Sequence, residues 1–118
     1  MKNRIQAFGY AFSGIRSLLR EPHFRFHSFA FLLVTTSAWY FGVTNTEWTI
    51  LLLTSALVLA LEGLNSGIEN LADALHPETH PLIKKCKDIS AGAVLLAAIL
   101  AAAIGIIIFT PYIIALAK

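Results

Sequence analysis

Glu62, Asn65, Ser66, Glu69 and Asp73 interrupt a segment that is otherwise apolar. At about 100° per residue, all five fall within one sector of an α-helix about 100° wide. From Trp48 to Leu61, just upstream, the chain carries no charge. A carboxylate at or near membrane depth is costly, and such residues mark functional sites by default. Three acids on one stripe, with an amide and a hydroxyl between them, are suited to holding cations.

A second set of polar residues falls at the same level. Glu21 stands next to Pro22, ahead of the first apolar run, and Lys87-Asp88 opens the last one. Glu21, Glu69, Asp73, Lys87 and Asp88 are thus placed to converge at one depth. Carboxylate oxygens suit Mg²⁺, and lysine suits phosphate. The chemistry implied is that of a divalent cation with a polyanionic cargo.

The elements that position these residues follow from composition. Of 118 residues, 57% are hydrophobic and only 14% charged, where a soluble domain carries about 25% charged residues. Mean hydropathy is +0.70. The apolar runs predict an all-α membrane protein with three transmembrane helices, at about 26–43, 47–75 and 87–116. The whole chain, 1–118, reads as one domain, with no internal repeat and no low-complexity linker.

Nothing breaks the second helix between Glu47 and Leu75. Its length of about 43 Å exceeds a hydrocarbon core of about 30 Å. The excess is the acidic end, which puts Glu62 just inside the apolar layer, Glu69 near the interface and Asp73 in water. A water-soluble reactant would meet a lipid-soluble one there.

Residues 2–20 lack the continuous apolar core of a secretory signal. Ile5, Phe8, Phe12, Ile15 and Leu19 recur at steps of three and four among Lys2, Arg4, Arg16 and Arg20. This is an amphipathic helix, lying on the membrane surface, packed on the rest of the protein, or both. Eight of the nine Lys and Arg residues precede the first span or lie between the second and third; Lys118 is the ninth. The positive-inside rule then places the N-terminus in the cytoplasm and the C-terminus outside.

Gly63 and Gly67, and Ala91, Gly92, Ala98, Ala102 and Gly105, imply close helix packing and oligomerisation. Pro77 and Pro81 mark the connection through His76–His80, and Pro111 is expected to bend or end the last helix. Trp39, Tyr40, Trp48 and Tyr112 read as an aromatic belt, and Phe24, Phe26, Phe29 and Phe31 as lipid-facing or packed. Arg20 and Arg25 snorkel to headgroups, which Lys84 and Lys85 also contact.

Other chemistry is disfavoured. A lone Cys86 excludes an intramolecular disulfide and a multi-cysteine metal site. The pairs His23/His27 and His76/His80 have ligand spacing, but Pro77 breaks the helical face of the second, so zinc is not expected. A net charge of +2 reflects the basic collar and implies no nucleic-acid partner. Two classes stay open on residues alone: an enzyme acting on a lipid headgroup with a metal-nucleotide, and a small proton- or ion-coupled transporter. No phosphate-binding Gly-rich loop or soluble-kinase motif decides between them.

Glu62-x-x-Asn65-Ser-x-Ile68-Glu69-x-x-x-Asp73 resembles the signature of the small prokaryotic integral-membrane lipid kinases, the diacylglycerol and undecaprenol kinases. Glu21-x-x-Phe-Arg-Phe-His27, Glu47-Trp48, His80-Pro-Leu-x-Lys-x-x-Lys87-Asp88-x-x-Ala-Gly-Ala-Val94 and Ile108-Phe-x-Pro111 resemble further blocks of that family, in the same order. The resemblance covers nearly the whole chain. After Glu47 it is closer to the undecaprenol branch.

The resemblance implies a homotrimer of three-span subunits in the bacterial cytoplasmic membrane, with active sites between subunits. It implies Glu62 as catalytic base, Asn65 as the residue orienting the reacting groups, and Glu21 and Glu69 as ligands of the Mg²⁺ that accompanies ATP. Asp73, Lys87 and Asp88 would frame the nucleotide, Glu78, Thr79 and His80 would touch it from the loop, and Tyr10 would contact it from the surface helix. The acceptor would be undecaprenol, with diacylglycerol as the alternative.

The chain departs from the family pattern at His23, where Asn is usual, and at Gly67 and Ala72, which replace Ala and Val. The last two leave the site intact; His23 bears on metal affinity or pH dependence. Arg4 is the candidate for the family's N-terminal phosphate-approaching arginine.

Overall fold

A computed structural model describes residues 2–118 as four helices: α1 (Lys2–Leu18), α2 (Pro22–Phe41), α3 (Asn45–Leu75) and α4 (Pro81–Ala117). Local chemistry sets each boundary. Pro22 starts α2, where a missing N–H costs nothing. Gly42, at φ 62°, ends it in the left-handed conformation, with its N–H turned back to the Ala38 and Trp39 carbonyls. Thr44 and Glu47 form a reciprocal capping box at the start of α3: Glu47 N donates to Thr44 Oγ1 (3.2 Å) and Thr44 N to Glu47 Oε2 (2.9 Å). His80 caps α4, its Nδ1 accepting from Leu82 N at 3.1 Å, with Pro81 as the first helical residue.

α3 is the central element, packed most extensively on α4 and next on α2. Its packing seam begins with Leu51 and Val58. Around the Gly42 end, Leu51 joins Ala38, Val43 and Ile108 in a buried cluster flanked by Phe41, Trp48, Phe109 and Tyr112. The Tyr112 hydroxyl donates to Glu47 Oε2 at 2.5 Å, tying the far part of α4 to the first turn of α3. Away from that seam, large apolar side chains such as Leu53 and Ile107, each 71% exposed, point outward. α3 and α4 are long and apolar enough to cross a membrane.

Several sequence expectations change in detail. Pro111 does not end the last helix, which continues to Ala117. One lost backbone hydrogen bond is tolerated in a helix of 37 residues whose Ile108 and Tyr112 are anchored on either side of the proline. Trp48 and Tyr112 are half-buried against the cluster, while Trp39 and Tyr40 are exposed.

The apolar stripe of α1 is not packed on the chain's other helices: Ile5 and Phe12 are each 70% exposed. Among the described residues, α1 approaches α3 at its end, where Leu18 Cδ1 would lie 3.2 Å from a Cβ added at Gly63. Gly67, Gly92 and Gly105 face no close neighbour.

Candidate active site

The seam of α3 changes chemistry at Glu62. Continuing the line of Leu51 and Val58, the next buried residues are Glu62 (4% exposed), Asn65 and Ser66 (8% each). The same helical face therefore supplies greasy packing at one end and polar groups at the other. Glu62 Oε2 lies 3.5 Å from Nε2 of His27 on α2. Less than one turn on, Asn65 Oδ1 lies 2.7 Å from Ser90 Oγ on α4, which is also 3.0 Å from the Lys87 carbonyl. All three long helices thus meet at Glu62 and Asn65.

Two cavities flank these residues along α3. The first, of about 330 Å³, is apolar and lies among α2, α3 and α4. Val58 and Leu59 line it near Glu62 together with His27, and Leu51 and Phe109 line it toward the Gly42 end. Ala98, Ala101, Ala102 and Gly105 form its α4 wall. These small side chains leave the space that the cavity occupies between α4 and its neighbours.

The second cavity, of about 340 Å³, opens where α3 hands over to α4. It gathers Asp73, Glu78, Thr79, His80, Lys87 and Asp88, which the family resemblance implies around a nucleotide. Lys87 Nζ pairs with Asp73 Oδ1 at 2.7 Å and Lys84 Nζ with Asp88 Oδ2 at 2.5 Å. His76 Nδ1 lies 2.8 Å from the Glu78 carbonyl, holding the loop. The imidazoles of His76 and His80 are 5.3 Å apart.

Tyr10, Glu21 and Glu69 are not among the residues lining this cavity. Tyr10 is 76% exposed on α1. Glu21 is the N-cap residue of α2, and its side chain makes no capping bond. Glu69 is half-buried on α3, between Asn65 and Asp73. Among the described residues, neither acid is in an ion pair, and no three His, Cys, Asp or Glu side chains cluster as a metal site.

Glu21 and Glu69 carry the oxygen donors that a Mg²⁺ takes when it keeps one or two protein ligands and draws the rest from phosphate and water. The cavity's charges agree with such a cation. Lys84 and Lys87 face Asp73, Glu78 and Asp88, so a bare triphosphate would meet a small excess of negative charge.

Sequence reasoning passed over two contributors, His27 and Ser90. The signal for Ser90 was present, since it is the last polar side chain before the apolar run of α4. Its partner on another helix was not. His27 stood within a recognised block, but its contact with Glu62 crosses from α2 to α3.

The buried acid and amide thus stand along α3 between the stretch that lines an apolar cavity and the end that lines a charged one. The sequence pattern of the family described as prokaryotic diacylglycerol kinase matches residues 9–109, and the chain belongs to that family. It is 36% identical over 107 residues to the undecaprenol kinase of Bacillus subtilis (strain 168), covering 90% of this chain and 87% of that one. It is 38% identical over 105 residues to the diacylglycerol kinase of Synechocystis sp., covering 87% of this chain and 60% of that one. With the diacylglycerol kinase of Escherichia coli (strain K12), identity is 36% over 98 residues, with 82% and 80% covered. The chain is therefore a lipid kinase, with ATP as the phosphate donor that a kinase implies.

Proposed function

We propose that this kinase phosphorylates the hydroxyl of undecaprenol with MgATP, at the cytoplasmic face of the bacterial cell membrane. The observation that carries the reading is the position of buried Glu62, between an apolar cavity and a charged one. The preference for undecaprenol rests on the blocks after Glu47, among them Glu47-Trp48 and His80-Pro81-Leu82. Diacylglycerol is the second reading, favoured by relatives of that name at similar identity.

In the mechanism, the acceptor hydroxyl approaches from the apolar side and gives its proton to the Glu62 carboxylate. The alcohol oxygen forms a bond to the γ-phosphorus as the bond to the β–γ bridging oxygen breaks, and ADP leaves. Asn65, held against Ser90, orients the reacting groups. Lys87 turns from Asp73 toward the phosphates, while Asp73, Asp88 and the Glu78–His80 loop frame the nucleotide. Glu21 and Glu69 would hold Mg²⁺, which when bound supplies positive charge against the triphosphate. Positioning and charge stabilisation carry most of phosphoryl transfer, so no phosphate-binding loop is required.

The membrane arrangement has three spans, α2 to α4, with α1 on the cytoplasmic surface. α2 lacks the long apolar stretch that marks α3 and α4, but its serine and threonine hydroxyls are satisfied internally. Ser28, Thr36 and Ser37 bond to carbonyls one turn back at 2.8, 2.7 and 2.8 Å, which removes those donors from lipid. The basic residues put the N-terminus inside. A homotrimer with shared sites accounts for Tyr10, Glu21 and Glu69 standing outside the charged cavity, since a neighbouring subunit would complete it.

The test is phosphorylation in mixed micelles with Mg²⁺, labelled ATP and either undecaprenol or diacylglycerol. Label in undecaprenol, absent without Mg²⁺ and lost in Glu62→Gln, is the expected result. Label in diacylglycerol alone would replace the acceptor. Full activity in Glu62→Gln would remove the assigned base.

A further inference from the structure

Glu62 is the buried acid on which the proposed chemistry depends, and the inference here rests on that reading. Its side chain is 5% exposed, and a carboxylate so enclosed is costly without a hydrogen-bond donor. Among the described residues the only charged or chargeable partner at the carboxylate is His27, 3.5 Å away and itself 17% exposed. The imidazole comes from a different helix and also lines the apolar cavity. It therefore borders both the Glu62 carboxylate and the space from which an acceptor lipid would arrive.

We propose that His27 is the positioning residue for the catalytic base. Its Nε2–H donates to Glu62 Oε2, leaving Oε1 turned to the acceptor hydroxyl. At 3.5 Å the two groups touch without a formed hydrogen bond. Hydrogen bonds of this kind are often long before substrate binds and tighten in the reacting complex. The Phe26 ring lies edge-on to the imidazole, with centroids 5.5 Å apart, and limits its swing. When the acceptor proton passes to Glu62, it goes to Oε1. His27 keeps its own proton, so it acts through the base and not on the substrate.

The experiment compares H27F, H27Q, E62Q and the double variant H27F/E62Q, purified at full length in mixed micelles with MgATP and the lipid the parent protein phosphorylates. H27F keeps an aromatic ring and removes the donor. It is expected to lower kcat roughly 10- to 100-fold, the scale of one hydrogen bond to a charged group, with both KM values unchanged. H27Q retains an N–H at a similar reach and recovers most of that loss. In the E62Q background H27F has no further effect, because coupled residues are not additive.

Parental kcat in H27F would overturn the proposal, as would a change confined to the lipid KM. So would an equal loss from H27F with and without E62Q, which a packing role gives. If H27F does not assemble, H27N applies the same test, its amide falling short of the carboxylate: loss in H27N with activity in H27Q supports positioning, and equal activity overturns it. A fully active E62Q would instead remove the base itself, separating that failure from a failure of His27.

Discussion

Ser90 Oγ stands 2.7 Å from Asn65 Oδ1, joining the first part of α4 to the polar stretch of α3. The same hydroxyl reaches the Lys87 carbonyl at 3.0 Å. The amide proposed to orient the reacting groups is thereby fixed to the helix carrying Lys87 and Asp88. Ser90→Ala removes the tie and leaves the fold's packing alone. Loss of one neutral hydrogen bond predicts a fall in kcat of about 3- to 10-fold. Steady-state kinetics on a variant with the parental melting temperature checks this.

Glu62→Gln keeps the shape and burial of the side chain and removes the carboxylate proposed as proton acceptor. A general base is worth about 10²- to 10⁴-fold. Phosphorylation is expected to fall by that factor while oligomer size by light scattering stays the same.

Lys87→Met tests the charged cavity. The side chain loses its ammonium, leaving Asp73 without its 2.7 Å partner. The KM for ATP is expected to rise by about tenfold or more, as for a lost charge-assisted phosphate contact, and the KM for lipid to stay unchanged. Equal rises in both would mean that Lys87 holds the fold and not the nucleotide.

The two glycines of α3 should behave oppositely. An added Cβ at Gly67 meets nothing, so Gly67→Ala gains helix propensity, up to about 1 kcal/mol, and retains activity. At Gly63 a Cβ would lie 3.2 Å from Leu18 Cδ1. The leucine tip can yield to Ala, but the branched side chain in Gly63→Val should release α1. Hydrogen exchange across Lys2–Leu18 measures the difference.

Much of this was legible before any coordinates. The period of Glu62, Asn65, Ser66, Glu69 and Asp73 marked one helical face, and three of its members are buried on the seam of α3. The spans expected at 26–43, 47–75 and 87–116 fall within or near helices that start a few residues earlier, at Pro22, Asn45 and Pro81, where Pro22, the Thr44–Glu47 capping box and Pro81 set the first turns. What stayed hidden depends on which helices meet. The bonds from Ser90 to Asn65 and from Tyr112 to Glu47 join residues 25 and 65 positions apart. The same holds for the contact of His27 with Glu62. The passage of α4 through Pro111 was also hidden, since the packing of Ile108 and Tyr112 outweighs a local proline rule.

The Glu47 carboxylate accepts from both Thr44 N and the Tyr112 hydroxyl, beside the cluster of Ala38, Val43, Leu51 and Ile108. The bundle is thus clasped at the end away from Glu62, in the manner of tweezers joined at the hinge. Regions with few buried apolar contacts open at lower free energy than the core. α2, which meets Glu62 through the 3.5 Å contact of His27, is therefore the arm able to part and admit a lipid, while α3 and α4 stay joined by Asn65–Ser90 and Asp73–Lys87. Tyr112→Phe should loosen that hinge, so heating would melt the variant earlier while its phosphorylation at low temperature is unchanged.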